Sequence, residues 1–198
     1  MPEVASLLLA AGRGTRFGAA PKLLAPLDGR PLVRHAAEAA LAASPHPVVA
    51  VLGAHAADVA SALDGLDLTL VRNPAFAEGL STTLRAGIAA LPASCTAVIV
   101  LLGDMPRVTR QMIDSLAQAF MADGGRASAV VPVHGGRRGN PVLLNLTILE
   151  RDIAALTGDR GAGPLLADRT DILEIAGDPG TTLDIDTPDA LAAAAASP

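Results

Sequence analysis

A chain of 198 residues suits one hydrophobic core of ordinary size, so a single domain over residues 1–198 is expected. With three Phe, no Tyr or Trp and a net charge of −5, it lacks both the stacking platforms of single-stranded nucleic-acid binders and the bulk positive charge of polyanion binders. One cysteine excludes an intrachain disulfide, no charged-then-apolar leader precedes the first strand pattern, and no apolar run nears the roughly 20 residues that span a bilayer; a cytoplasmic protein away from membranes is expected.

Short β-rich runs alternate with alanine-rich amphipathic stretches, which reads as an α/β chain with three αβα layers around a mostly parallel central sheet. The first strand, 4–9, runs into the turn Ala10-Ala11-Gly12-Arg13-Gly14-Thr15-Arg16-Phe17-Gly18-Ala19-Ala20-Pro21-Lys22. A helix over 31–43 follows, with Pro31 in its first turn, where a missing N–H costs nothing. Next come a strand at 48–52, a helix at 54–63, a strand at 68–71, a helix at 80–91 and a strand at 97–102. Cys95, just before that strand, reads as a small buried hydrophobe. A helix at 109–121 capped by Thr109, a strand at 129–133, an apolar run at 142–144, a helix at 148–156 and a strand at 172–175 complete the middle. The last helix begins at Pro188 behind Thr187 as cap.

Strands 4–9 and 97–102 show no polar alternation, so helices should cover both faces of each and both should be central. Ligands of open α/β sheets bind outside the carboxyl ends of such strands. Those ends deliver the glycine turn and Gly103-Asp104-Met105-Pro106. Gly12, Gly14 and Gly18 space as G-x-G-x-x-x-G, one residue longer than the dinucleotide fingerprint, and no G-K-[ST] follows as in a Walker A loop. The glycines let backbone N–H groups approach anionic oxygens, and Arg13, Arg16 and Lys22 add charge. Lys22 is the one lysine beside fourteen arginines, which argues for a site that needs a compact, strongly hydrated point charge.

Further groups with chemical potential are spread along the chain. A carboxylate at the end of a buried strand, Asp104, suits a hard cation, and equally a turn or a helix cap. Alternation puts Asp184 and Asp186 on one side of an extended segment, whereas Asp189 reads as a complement to a helix N-terminus. The stretch 73–87 offers Asn73, Ser81, Thr82 and Thr83 around a helix start, suited to a base or a phosphate. In 134–142, Arg137 and Arg138 stand between glycines, while His134 has no His or Cys partner at metal-ligand spacing.

The segment Leu7-Leu8-Leu9-Ala10-Ala11-Gly12-x-Gly14-x-Arg16-x-Gly18, followed by Pro21-Lys22-Leu23-Leu24, resembles the signature of the MobA-like nucleotidyltransferases. Within that family it looks most like the CTP:molybdopterin cytidylyltransferases, and the resemblance runs from residue 4 to about 191. It implies a Rossmann-like nucleotidyltransferase fold and Mg²⁺ as cofactor, with Asp104 (in L-x-D-x-P) and Asp186 (in D-I-D-T-P) as metal ligands and Asp184 second to Asp186. It further implies catalytic roles for Lys22, Arg16 and Asp104, and nucleotide contacts from Leu9, Ala10, Ala11, Gly12, Gly14, Arg16, Lys22, Asn73, Gly79, Ser81 and Thr83. Arg137, Arg138, Gly139 and Asn140 fall on the acceptor side.

The implied substrates are CTP and a phosphorylated pterin cofactor, with a molybdenum hydroxylase or its maturation factor as downstream partner. Ala10-Ala11-Gly12 resembles the cytidylyl branch, where guanylyl-transferring relatives carry Ala-Gly-Gly; the Ala11 methyl takes space a purine edge would need. Near Gly158-Asp159-Arg160-Gly161-Ala162 the chain looks like the family's G-D-x-G-A element, but Gly163 stands where a basic residue is expected. That departure bears on acceptor recognition. A related transferase for a sugar phosphate or other phosphorylated acceptor, and a catalytically silent nucleotide-binding partner, are the alternatives.

Overall fold

In the computed structural model, residues 3–18 and 20–196 are described; Ala19 of the glycine turn lies outside them. In chain order the elements are β1 (Glu3–Ala10), β2 (Pro26–Leu27), β3 (Arg30–Pro31), α1 (Leu32–Ala42), β4 (Val48–Leu52), α2 (Ala56–Ala62), β5 (Thr69–Arg72), α3 (Leu80–Ala89) and β6 (Cys95–Leu102). The second half adds α4 (Arg110–Ala122), β7 (Ala129–His134), β8 (Arg137–Arg138), β9 (Val142–Asn145), α5 (Leu146–Ala154), α6 (Ala162–Leu166), β10 (Ile172–Ala176) and α7 (Pro188–Ala196).

The main sheet runs β10-β7-β9-β6-β1-β4-β5, with β8 paired to β7, and β2 and β3 form a separate two-stranded hairpin. β1 pairs in parallel with both β4 and β6, so the two runs without polar alternation are neighbours in the middle of the sheet. Alternate side chains of β1 feed opposite layers. Leu8 and Ala10 pack with Val33, Ala36 and Ala40 of α1, Val59 of α2, and Ile113, Leu116 and Phe120 of α4. Ala5, Leu7 and Leu9 pack with Leu84 of α3, Leu149 and Ile153 of α5, and Leu166 of α6. Each fully buried leucine contributes about 1.5–3 kcal/mol, so the three-layer arrangement follows from where these residues can be hidden. The α/β, mostly parallel Rossmann-like expectation agrees with this architecture.

A third cluster, Phe17, Ala25, Leu27, Leu32, Ile185 and Ala194, joins the end of the glycine turn to the C-terminal segment. It bears on the site because Ile185, fully buried, stands between Asp184 and Asp186.

The structure departs from the expected elements at several places: β2, β3, β8 and α6 are not among them, and Pro31, expected in the first turn of a helix over 31–43, ends β3 and precedes α1. The 142–144 run is β9, lying antiparallel between β6 and β7, so a returning strand is threaded into a sheet whose other long strands pair in parallel, the short β8 pairing antiparallel with β7. Asn145 then caps α5, its side-chain oxygen accepting from the N–H groups of Thr147 (3.1 Å) and Ile148 (3.4 Å), and the helix starts two residues before the expected 148. Helix α2 starts at Ala56 and not at 54 because the Ala54 N–H donates to the Ala11 carbonyl (3.0 Å) and His55 adopts φ 53, which ties this turn to the glycine loop. Elsewhere the caps match: Thr109 accepts from the Met112 N–H (3.2 Å) and Thr187 from the Ala190 N–H (3.2 Å). No helix among the described residues is long and apolar enough to cross a membrane.

Candidate active site at the carboxyl ends of the central strands

The glycine turn leaves β1 and returns as a short 3₁₀ turn at Lys22–Leu24, anchored by the buried side chain of Leu23. Gly14 stands at φ 60, and a Cβ there would lie 2.8 Å from the Cβ of Lys22. Only glycine accepts both the left-handed backbone and the approach of the lysine stem. Asp104 follows β6, where the Gly103 N–H donates to the Leu9 carbonyl (3.1 Å) and locks the two strand ends together. The Ile185 N–H donates to the Asp104 carbonyl (2.9 Å), so the buried Ile185 side chain and this bond fix the segment that carries Asp186.

The result is an ion network assembled from three distant parts of the chain. Lys22 Nζ donates to Asp104 Oδ2 (2.6 Å) and to Asp186 Oδ1 (3.0 Å). Arg16 meets the other Asp186 oxygen at 2.7 Å. The Lys22 side chain is 11% exposed and that of Arg16 77%, so the lysine is the enclosed charge and the arginine its solvent-facing neighbour. Burial alone would push the Lys22 ammonium toward losing its proton, but attraction and hydrogen bonds from Asp104, joined by Asp186, outweigh it and hold its pKa above the ordinary lysine range. Asp104 Oδ1 is buried and has no hydrogen-bond partner. An orphaned carboxylate oxygen is costly unless something positive completes it. Together with the Asp186 carboxylate it offers the hard oxygen donors a divalent cation takes, so these residues fit such an ion. Among the described residues no group of three or more His, Cys, Asp or Glu is gathered, which leaves further coordination to substrate phosphates or water.

Asp184 is exposed and pairs with no described side chain. Residues 183–186 form no strand, so strict alternation, the basis for expecting both acids to face one cation, does not govern this segment.

Beside the network a cavity of about 380 Å³ is lined by Ala11, Gly12, Arg13, Gly14, Thr15, Phe76, Ala77, Gly79, Leu80, Thr83 and Asp159. Gly14 borders this cavity on one side and Lys22 on the other. Of the residues expected to meet a nucleotide, Ala11, Gly12, Gly14, Gly79 and Thr83 line it. Ala10 is fully buried, and Leu9 borders a different cavity. Asn73 serves as a bracket: its Nδ2 donates to Thr82 Oγ1 (2.9 Å) and Thr83 Oγ1 (3.1 Å), and its Oδ1 accepts from the Ala75 N–H (3.0 Å). Ser81 is fully buried, its hydroxyl has no partner, and it does not line the cavity. Arg13, read from sequence only as a charge of the turn, lines the cavity as well, and so do Thr15, Phe76, Ala77, Leu80 and Asp159, none of them among the expected nucleotide contacts. The Arg13 guanidinium lies over the Phe76 ring at 5.6 Å, and Phe76 being one of three aromatic residues in the chain was the available signal.

A second cavity, about 400 Å³, gathers Arg138, Gly139 and Asn140 with Leu9, Leu102 and residues of the 161–167 segment. Arg138 is already engaged, donating to Glu174 (2.8 Å) and to the Leu166 carbonyl (2.9 Å), while Arg137 is exposed. Gly139 packs its backbone against Thr181, and the Asn140 N–H donates to the Thr181 carbonyl (2.8 Å). Gly163 lines the same cavity, with open space where a side chain would stand.

The MobA-like NTP transferase domain matches residues 6–173. The chain belongs to that family. The proteins it resembles are of several kinds. Nicotine blue oxidoreductase of Paenarthrobacter nicotinovorans is 30% identical over 192 residues, covering 94% of each chain. The bifunctional protein GlmU of Kineococcus radiotolerans is 40% identical over 130 residues, 64% of this chain, which spans 26% of GlmU. Among solved structures, Rv0371c of Mycobacterium tuberculosis superposes with a TM-score of 0.84 at 24% identity over 99% of both chains. A structure of Rv0371c in complex with manganese gives 0.80 at 26% identity, covering 99% of this chain and all of that one. The protein is thus a nucleotidyltransferase of the MobA-like family, with the expected fold.

Proposed function

We propose that this protein transfers CMP from CTP to the terminal phosphate of a molybdopterin-type cofactor, releasing pyrophosphate, and that the whole chain acts as one nucleotidyltransferase domain. The observation that carries the reading is Lys22, gripped between Asp104 and Asp186 at the foot of a glycine loop that lines an adjoining cavity. An oxygen of the acceptor phosphate attacks the α-phosphorus of CTP, and the bond to the β-phosphate breaks with pyrophosphate as leaving group. The attacking phosphate is already anionic, so no general base is needed. Catalysis is therefore alignment and charge neutralisation.

Backbone N–H groups of the 12–14 turn cradle the phosphates, Lys22 follows the charge that develops at the α-phosphate, and Arg16 meets the departing pyrophosphate with its planar fork. Asp104 and Asp186 would hold the divalent cation, Mg²⁺ in this proposal, whose chemistry is to neutralise phosphate charge and orient the triphosphate. The manganese complex of Rv0371c supports a divalent cation here. The buried Ala11 methyl, on the wall of the 380 Å³ cavity, supports a pyrimidine over a purine. The second cavity, with Arg138 and Asn140, would take the pterin, and the product would pass in the cytoplasm to a molybdenum hydroxylase or its maturation factor.

The test is pyrophosphate release from purified protein with CTP, GTP, UTP or ATP, Mg²⁺ or Mn²⁺, and a panel of acceptors: molybdopterin, sugar phosphates and alcohol phosphates. Release with CTP and molybdopterin is expected, and Ala11→Gly should shift the CTP/GTP preference toward GTP. Release only with a sugar phosphate or alcohol phosphate would favour a related transferase for a different phosphorylated acceptor. The full-length relative with an oxidoreductase name favours, as a second reading, a redox protein on the same fold, and absence of pyrophosphate with every pair would leave that one standing.

A further inference from the structure

We propose that Asp159 reads the amino edge of the donor base and thereby separates CTP from UTP. This rests on the nucleotide occupying the 380 Å³ cavity as proposed above. Asp159 is the one carboxylate lining that cavity, and no described side chain pairs with it. Asp159 is exposed at the cavity rim, and a carboxylate there repels the phosphate end of a nucleotide, which the glycine turn and Arg13 attract, so in an occupied cavity it suits a part of the ligand that presents N–H or O–H donors.

Its position is held by the backbone. The Gly158 carbonyl accepts from the Ser81 N–H (3.1 Å) at the start of α3, and Gly158 takes φ 62. Gly79 has no room for a side chain against this loop: a Cβ there would collide with the Gly158 carbonyl and lie 2.7 Å from the Asp159 nitrogen. Two segments nearly eighty residues apart are thus clamped together at the cavity rim, and Asp159 is the side chain this clamp delivers.

Across the cavity lining, Thr83 supplies the opposite polarity. Its oxygen already accepts from Asn73, which leaves its hydroxyl proton to donate. An acceptor at Asp159 and a donor at Thr83 match the amino group and ring nitrogen of cytosine. Uracil presents a carbonyl oxygen where cytosine has its amino group, so it meets Asp159 as a second acceptor, whereas the Thr83 hydroxyl, with a lone pair left, accommodates either ring nitrogen; discrimination therefore rests on Asp159. Ala11 limits ring size, and Asp159 distinguishes amino from keto.

The experiment is calorimetric titration of CTP and of UTP into wild type, Asp159→Asn and Asp159→Ala, with no acceptor present. Wild type should prefer CTP, and both variants should lower the CTP/UTP affinity ratio by about tenfold or more, since losing a hydrogen-bond partner that rejects an analogue relaxes discrimination. An unchanged ratio in both variants overturns the proposal. Equal weakening of CTP and UTP also overturns it, by assigning Asp159 to the ribose. Failure of the transferase reading is distinguishable, because it shows as absent pyrophosphate while the affinity ratio still responds.

Discussion

Replacing Lys22 with methionine keeps the length and bulk of the side chain and removes only the ammonium that joins Asp104 to Asp186. Two carboxylates that shared one nitrogen are then left about 5 Å apart, where like charges repel by about 3 kcal/mol at an effective dielectric of about 20 and by less than about 1 kcal/mol in bulk water. The acids are 21% and 27% exposed, so solvent screens part of this, and a loss of about 2 kcal/mol is expected. In a chain of this size that corresponds to a fall in Tm of roughly 4–8 °C. Thermal unfolding should show it without added metal, and Mn²⁺ should stabilise the variant more than wild type, because the acids no longer hold an internal cation. Pyrophosphate release should fall by about 10²–10³-fold even with saturating metal. A Tm within 1 °C of wild type, by the same ~4–8 °C reckoning, would refute the energetic account; full activity would refute the proposed role.

Two further outcomes follow from the geometry. Gly14→Ala forces a Cβ toward that of Lys22 in a left-handed backbone, at a cost of about 1–2 kcal/mol, and should lower transfer more than tenfold while circular dichroism stays native; unchanged kcat/KM would show that the turn tolerates a moved lysine. Asp171 is held at a pKa of about 2, chiefly by its hydrogen bond with Arg169. Because the folded value is depressed, its contribution to stability is present above the unfolded value near 4 and is lost as pH falls through about 2. Carboxyl NMR should find that low midpoint in wild type and a return toward 4 in Arg169→Gln; a wild-type midpoint near 4 would contradict the pairing.

Residues 4–9 and 97–102 had to be central strands because no face of either could meet water, and the structure places them side by side with helices on both sides. Local chemistry likewise announced the glycine turn, the capped helix starts and the lone lysine, since each depends on residues a few positions apart. The hydrogen-bonding role of Asn73 was not legible, because a buried amide bridging two threonines looks in one dimension like a ligand-binding polar residue. Nor was β9, since an apolar run as short as 142–144 carries no label for direction or neighbour.

The sequence by itself determined the long strands and helices, the layers and the kinds of charge available, through periodicity and side-chain chemistry. Which charges meet was decided only by tertiary structure. Lys22 and Asp186 are 164 positions apart, and it takes the buried Ile185, the pairing of β1 with β6 and the glycine at 14 to bring their atoms to 3.0 Å. Asp184 has the same chemistry two residues away and stays in solvent, because the backbone there is not a strand and packing, not alternation, sets its direction.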